Sequence, residues 1–271
     1  MKKTMIMVAG MVMCCHMFVS CSKEKDELSV HSEAIVELYS GERKVVEVVS
    51  STAEVSIVSS NPYSVSASGV YYEYHDGILN SYSGGITRMS NGRNTTYYQD
   101  FYIKAKYVGS SVVSFSISSG LKQSVYVIVK PRYTTYDEPD IDFDDTRDSI
   151  VQKLGRPHVE NNTDTSSSIT YYGYSTAQLL ILSFDQNDLL DGYALQFYSD
   201  VDTTELRLFL EERYARYNAL FYIDADNYSD ATRAVTLMSN YVFYTPANRA
   251  KRNDGSNRIK AFLKEMDQLS M

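Results

Sequence analysis

Few side chains after residue 20 are of the types that perform covalent chemistry. The chain has three cysteines, and two of them, Cys14 and Cys15, lie in the apolar stretch at its start. Cys21 is the third, so the chain from residue 21 onward carries one thiol and can form no disulfide within itself. A single thiol also excludes dithiol redox chemistry. Modification of the Cys21 sulfur is the covalent chemistry that this pattern favours.

Catalytic and metal-binding patterns are absent from the sequence after residue 20. His31, His75 and His158 have no histidine at the spacing of a helical metal site, and no His-Glu-x-x-His motif occurs. No Gly-x-Ser-x-Gly elbow, phosphate loop or dinucleotide fingerprint occurs either. Carboxylates are plentiful, so a hydrolase with a carboxylate pair stays open as an alternative. We therefore predict a protein that binds rather than catalyses, with no metal site and no cofactor.

The segment before Cys21 has the parts of a secretory signal peptide. Lys2 and Lys3 give a positive start, and residues 5–19 form an apolar run interrupted only by Gly10 and His16. A run of about 15 residues is short for a membrane-spanning helix, which needs about 20. We predict a signal peptide over 1–20 and a short tether over 21–27.

Residues 18–21, Phe-Val-Ser-Cys, resemble the lipobox of bacterial lipoproteins. Phe replaces the usual Leu, and Ser replaces the usual Gly or Ala, each with a residue of similar character. Residues 22–27, Ser-Lys-Glu-Lys-Asp-Glu, are similar to the acidic stretch of surface lipoproteins in the Bacteroidota, although a plain solvated tether is the alternative. The resemblance implies lipid attachment at Cys21 and an outer-membrane location with the membrane as partner, on the periplasmic or the extracellular face.

Composition excludes one class of partner. The formal net charge is −8, and removal of Lys2 and Lys3 with the signal peptide makes it −10. Nucleic acids and anionic membranes attract clustered Lys and Arg, so neither is an expected surface partner. The 24 tyrosines and the absence of tryptophan are typical of exported β domains with adaptable binding faces.

Short alternating segments fill residues 28–131 and predict an all-β sandwich. β-Branched and aromatic residues recur with period two, and turn residues such as Gly41, Gly109 and Gly120 separate the segments. The six predicted strands span 34–39, 44–49, 54–59, 97–107, 111–118 and 124–129.

Two stretches of this domain resemble bacterial Ig-like domains of the second group. Residues 55–65, VSIVSSNPYSV, are similar to their strand and Ser-Ser-Asn-Pro turn, and residues 104–113 are similar to their Ala-x-x-x-Gly stretch. The resemblance implies a spacer or adhesive module. The interval 71–98 is longer than the family usually carries, and its Tyr72, Tyr82 and Tyr98 are candidate contacts for a glycan or a surface protein. A disordered insertion is the alternative.

Residues 132–144 form a predicted acidic linker. Asp140, Asp142 and Asp144 alternate along it, but Asp145 and Val151 stand where an EF-hand loop requires Gly and Glu. A solvated linker with one late Asp capping the next helix is the favoured interpretation. A looser calcium site stays open.

Residues 145–271 predict an α+β domain with an antiparallel sheet. Helices are expected over 145–154, from a cap at Asp202 to about Tyr217, and over 256–269. Strands are expected over 168–174, 178–184, 192–198, 219–224 and 234–244. The Leu-Gly-Arg-Pro at 154–157 faintly resembles modules related to the assembly factor BamE and to β-lactamase inhibitors, which bears on fold alone.

Three functions follow from this sequence, in different classes. The first is a lipid-anchored binding or adhesion protein of the cell envelope, in which the Ig-like module supports a ligand-contacting domain. The second is a structural envelope lipoprotein with a protein partner. The third, a secreted hydrolase, ranks last because no catalytic pattern supports it.

Overall fold

A computed structural model describes residues 26–69, 74–75, 78–79, 87–90, 95–162, 167–219 and 221–247. The predicted signal peptide, Cys21, Tyr72, Tyr82 and the helix predicted over 256–269 lie outside these residues. The described part is mostly β-structure, and its strand pairs are antiparallel except for one parallel pair, Ile35–Tyr39 with Lys122–Lys130. Neither of its helices has the length and hydrophobicity needed to cross a bilayer.

Strands β1 to β11 belong to the first domain. Their bounds are Leu28–His31, Ile35–Tyr39, Arg43–Ser50, Ser56–Ser59, Val65–Gly69, Tyr74–His75, Ile78–Leu79, Thr87–Ser90, Thr95–Ala105, Gly109–Ser116 and Lys122–Lys130. One sheet has the order β1-β3-β9-β5, with β8 also paired to β9, and the other has the order β2-β11-β10-β4. Immunoglobulin domains have one sheet with the strand order A-B-E-D and a second sheet with the order G-F-C. The order β1-β3-β9-β5 corresponds to A-B-E-D, and the order β11-β10-β4 corresponds to G-F-C, so the topology is Ig-like.

Alternation explains why the two sheets stack. Val113 and Phe115 on β10 and Phe101 and Ile103 on β9 point inward and are buried, while Ser114 and Ser116 point outward. The rings of Phe101 and Phe115 meet edge to face across the core, 5.5 Å apart. The six strands predicted in this domain all match observed strands to within two or three residues.

A tight turn joins β4 to β5 and uses the quoted Ser-Ser-Asn-Pro residues. The side chain of Asn61 donates to the Ser64 hydroxyl at 3.0 Å, and the Asn61 amide donates to the Ser111 hydroxyl at 3.0 Å. Gly109 lies against this turn with φ +147°, where a Cβ would come within 2.5 Å of the Ser64 oxygen. A glycine is therefore required for the close approach of β10 to the turn.

The second domain contains one eight-stranded antiparallel sheet and two described helices. Helices α1 and α2 are Arg147–Leu154 and Thr203–Glu211, and the sheet order is β12-β13-β14-β15-β19-β18-β17-β16. Strands β12 to β19 are Val159–Asn162, Ser167–Tyr172, Leu179–Phe184, Leu190–Gln196, Ala215–Arg216, Tyr222–Ile223, Arg233–Met238 and Tyr241–Pro246. Ile150 of α1 and Leu206 and Phe209 of α2 share one core with the sheet.

Helix boundaries differ from the prediction in identifiable ways. Thr146, and not Asp144 or Asp145, caps α1, and its side chain accepts from the Ser149 amide. The Asp145 carboxylate lies 2.8 Å from the Lys153 ammonium instead. Asp202 caps α2 as predicted, but the helix ends at Glu211 rather than near Tyr217. Neither error is visible in the apolar spacing, because capping depends on local backbone geometry.

Three further expectations need correction. The strand predicted over 234–244 is a hairpin, since Ser239 adopts a positive φ of 54° and β18 pairs back onto β19. The strand predicted over 219–224 is reduced to Tyr222–Ile223. The predicted acidic linker is not fully solvated, because Tyr136 and Ile141 are buried in the second core.

Candidate functional site

Of the predicted site residues, Tyr98 alone lies within the described part of the chain. It is on β9, is partly buried, and pairs in register with Val49 and Thr87. Its grouping with Tyr72 and Tyr82 into one binding face stays a prediction. Neighbouring tyrosines farther along the chain face opposite sides of their strand, since Tyr171 is buried and Tyr172 is 54% exposed.

The most elaborate polar arrangement in the described chain lies between the two domains. Tyr63, in the turn after β4, reaches across so that its hydroxyl lies 2.9 Å from the Arg213 carbonyl and 3.0 Å from the Ile223 carbonyl. The hydroxyl can donate its proton to either carbonyl, and it accepts from the Ala215 amide at 3.0 Å. Burial raises the pKa of the Tyr63 phenol, so the hydroxyl stays protonated at neutral pH.

Glu212 forms the second part of this contact, which we call the junction. Its carboxylate accepts from the Arg132 amide at 2.9 Å and the Tyr133 amide at 3.1 Å, and it pairs with the Arg213 guanidinium at 2.6 Å. Glu212 is only 5% exposed. A buried carboxylate is tolerated when its lone pairs are filled in this way.

Residues 106–108 complete the junction from the side of the first domain. The Lys106 ammonium lies 2.5 Å from the Asp226 carboxylate, and the Val108 amide donates to the Glu212 carbonyl at 2.7 Å. The ring of Tyr107 stacks on that of Tyr63 with centroids 4.5 Å apart. These contacts join residues 63 and 106–108 to residues 212–226.

A buried tyrosine cluster lies under the segment once predicted as a linker. The Glu138 carboxylate accepts from Tyr214 at 3.0 Å and from Tyr244 at 2.5 Å. Arg233 donates to Tyr214 at 3.4 Å and to the Ile141 carbonyl at 3.1 Å. Burial raises the pKa of Tyr193, Tyr214 and Tyr244 above the ordinary tyrosine value. These bonds hold Glu138 and Ile141 against the sheet, while the ring of Tyr136 packs edge to face on Phe197 and Phe209.

Tyr193 offers a direct stability test within this cluster. Its ring stacks on Tyr244 at 4.3 Å, but its hydroxyl is buried without a hydrogen-bond partner among the described residues. Tyr193→Phe should therefore raise the free energy of unfolding by about 1 kcal/mol, because it removes an unsatisfied polar group and keeps the stacking. Urea unfolding at pH 7 measures this. A loss of stability would show that the hydroxyl has a partner.

A solvent-open groove runs between α2 and the nearby edge of the sheet. It encloses about 300 Å³, and its lining includes two arginines, three hydroxyl side chains and apolar groups. The lining residues are Thr203, Arg207, Arg216, Ala219, Tyr222, Leu237 and Ser239. Helix α2 supplies Thr203 and Arg207 on one exposed edge, four residues apart, and β16 supplies Arg216. Sequence analysis missed this groove, since Arg207 and Arg216 come from separate elements.

The carboxylate-rich segments do not converge. Within the described ranges, no group of three or more His, Cys, Asp and Glu side chains is placed to hold a metal ion. Asp142 and Asp145 instead engage Arg233 and Lys153.

Comparisons with known proteins identify no family or function for this chain. No family model matches the chain, and no curated protein matches it. Among solved structures, domains 5–6 of the S-layer protein SbsC are similar at 12% identity, over 82% of this chain and 85% of that one, with a TM-score of 0.27. A tandem of titin immunoglobulin domains is similar at 8% identity, over 82% of this chain and 81% of that one, with a TM-score of 0.22. Scores this low carry no argument about fold or function.

Proposed function

We propose that this chain is a lipid-anchored binding or adhesion protein of the cell envelope, in which an Ig-like domain holds a second, ligand-contacting domain in a fixed orientation. The junction is the observation that carries the proposal. A flexible pair of domains would need no buried carboxylate and no shared tyrosine hydroxyl between them. Here Tyr63 and Glu212 each make several directional hydrogen bonds across or beside the boundary.

Anchoring at Cys21 places the first domain close to the bilayer. Strand β1 begins at Leu28, so residues 22–27 separate it from the proposed lipid. Six extended residues span about 20 Å. In this arrangement the Ig-like domain lies near the membrane and the junction fixes where the second domain points.

Fatty-acid labelling tests the anchor. We expect the wild type to incorporate label and to fractionate with membranes, because two or more acyl chains bind a bilayer far more firmly than one. Cys21→Ser should abolish the label and release or block processing of the protein. Protease accessibility on intact cells then tells the extracellular face from the periplasmic face.

A Cys14→Ser variant is the matched control, since it removes a cysteine that the predicted signal peptide would discard. Its labelling should equal that of the wild type. An unlabelled wild type, or label that persists in Cys21→Ser, would refute lipid attachment at this residue.

A further inference from the structure

We propose that the groove between α2 and the sheet edge binds a small ligand through an oxyanion group, a carboxylate or a phosphate, held by Arg207 and Arg216. This goes beyond the proposed function, because it names a site and a ligand chemistry that do not depend on the lipid anchor. Both arginines line this groove.

What distinguishes Arg207 and Arg216 is that they lie together in one groove. Arg132, Arg147, Arg213 and Arg233 each pair with a carboxylate, at 3.1, 2.5, 2.6 and 3.6 Å. Arg207 and Arg216 make no ion pair with any described residue, although acidic residues outnumber Lys and Arg by 34 to 26. Two described arginines outside the groove, Arg43 and Arg156, also make no ion pair, so the lack of one is not distinctive by itself. The structure thus leaves two cations without carboxylates in one groove, in a chain with abundant carboxylates.

Tyr222 lines the same groove as the two arginines. Burial and then the Glu211 carboxylate raise the pKa of its phenol, and Arg216 and Arg207 both oppose that rise. Charges that act on the same hydroxyl can also act on the same bound anion. Guanidinium groups suit this task because they donate in a planar fork that matches carboxylate and phosphate oxygens.

Glu211 is an acidic group beside the groove that could compete for the arginines. Its carboxylate lies 3.5 Å from the Tyr222 hydroxyl, and it stands four residues after Arg207 on the same helical face. Among the described residues no ion pair joins Glu211 to Arg207, so this carboxylate does not neutralise the arginine. Neutralising Glu211 should therefore strengthen anion binding.

The rest of the groove points to a ligand larger than a free ion. About 300 Å³ is at the lower end of small-molecule pockets. Leu237 and Ala219 offer apolar contact, while Thr203 and Ser239 offer hydroxyls. A small organic acid, an acidic sugar or a sugar phosphate has the matching mixture of groups.

Titration calorimetry on the full-length chain in detergent tests the proposal. The probes are trigalacturonate as a carboxylate source, inorganic phosphate as a phosphate source, and neutral galactotriose as the matched uncharged sugar. We expect at least one acidic probe to bind and galactotriose to bind more weakly by about tenfold or more. Higher salt should weaken the binding, because the arginines are exposed. The acidic probe that binds identifies the oxyanion.

Variants decide whether the groove is responsible. Arg207→Gln and Arg216→Gln should each weaken binding by about tenfold, and Glu211→Gln should strengthen it. Arg156→Gln, which changes an exposed arginine outside the groove, should leave binding unchanged. The idea is wrong if neither acidic probe binds, if galactotriose binds equally well, or if Arg156→Gln weakens binding as much as the groove variants. Because the assay uses purified protein, failure of lipid attachment would not affect its outcome.

Discussion

Replacing Glu212 with alanine is expected to lower the free energy of unfolding by about 3 kcal/mol. The carboxylate accepts from the Arg132 and Tyr133 amides and pairs with Arg213, and it is 5% exposed. Alanine would leave two backbone donors and a guanidinium without their acceptor. Urea unfolding followed by circular dichroism measures the change.

Glu212→Ala should also change the cooperativity of the urea unfolding transition. The chain leaves β11 at Lys130 and immediately meets Glu212 at the end of α2, so this side chain ties the exit of one domain to the core of the other. In the wild type, where Glu212 makes these hydrogen bonds, we expect one cooperative unfolding transition. In Glu212→Ala the transition should broaden, because the carboxylate no longer joins residues 132–133 to the end of α2, while the Tyr63 hydroxyl and the Lys106–Asp226 ion pair still connect the two domains.

The neighbouring Glu211 provides the matched control. Its carboxylate is partly exposed and makes only a 3.5 Å contact with Tyr222, so Glu211→Ala should cost less than about 0.5 kcal/mol. Equal losses for Glu211→Ala and Glu212→Ala would show that general helix effects, and not the junction, set the stability. Unchanged stability in Glu212→Ala would remove the argument for fixed domain orientation.

Local pattern was sufficient to predict most of the fold. In β10, Val113 and Phe115 alternate with serines, and the period alone specifies a half-buried strand. The cap at Asp202 was equally visible, because an Asp followed three residues later by Glu marks a helix start. These features depend on residues within a few positions of one another.

The junction and the groove could not be predicted, because they depend on distant parts of the chain. Tyr63 stood in a quoted turn motif, yet its hydroxyl partners lie 150 to 160 positions away. The burial of Tyr136 and Ile141 was not predicted, because the many acidic residues around them favoured a solvated linker. The signal that could have revealed them is that large apolar residues interrupt the acidic run at intervals.

Alkaline pH should destabilise the fold steeply, beginning near pH 10. Burial raises the pKa of Tyr193, Tyr214 and Tyr244 above the ordinary value of about 10. Above pH 10 the unfolded chain loses these protons while the folded chain keeps them, so the unfolded state binds fewer protons and stability falls as pH rises. Below pH 10 both states are protonated, and the contribution of these tyrosines is fully present.

Each retained proton should contribute about 1.4 kcal/mol of lost stability per pH unit in that range. Tyr193→Phe removes one such proton, so its stability should fall less steeply than that of the wild type by about this amount. Urea unfolding at half-unit steps from pH 9 to pH 11 measures both slopes. Tyr198→Phe is the control, since its ring is 55% exposed, and it should keep the wild-type slope. If Tyr193→Phe and the wild type have parallel pH profiles, the Tyr193 phenol ionises as easily in the fold as outside it, and the buried cluster does not oppose its charge.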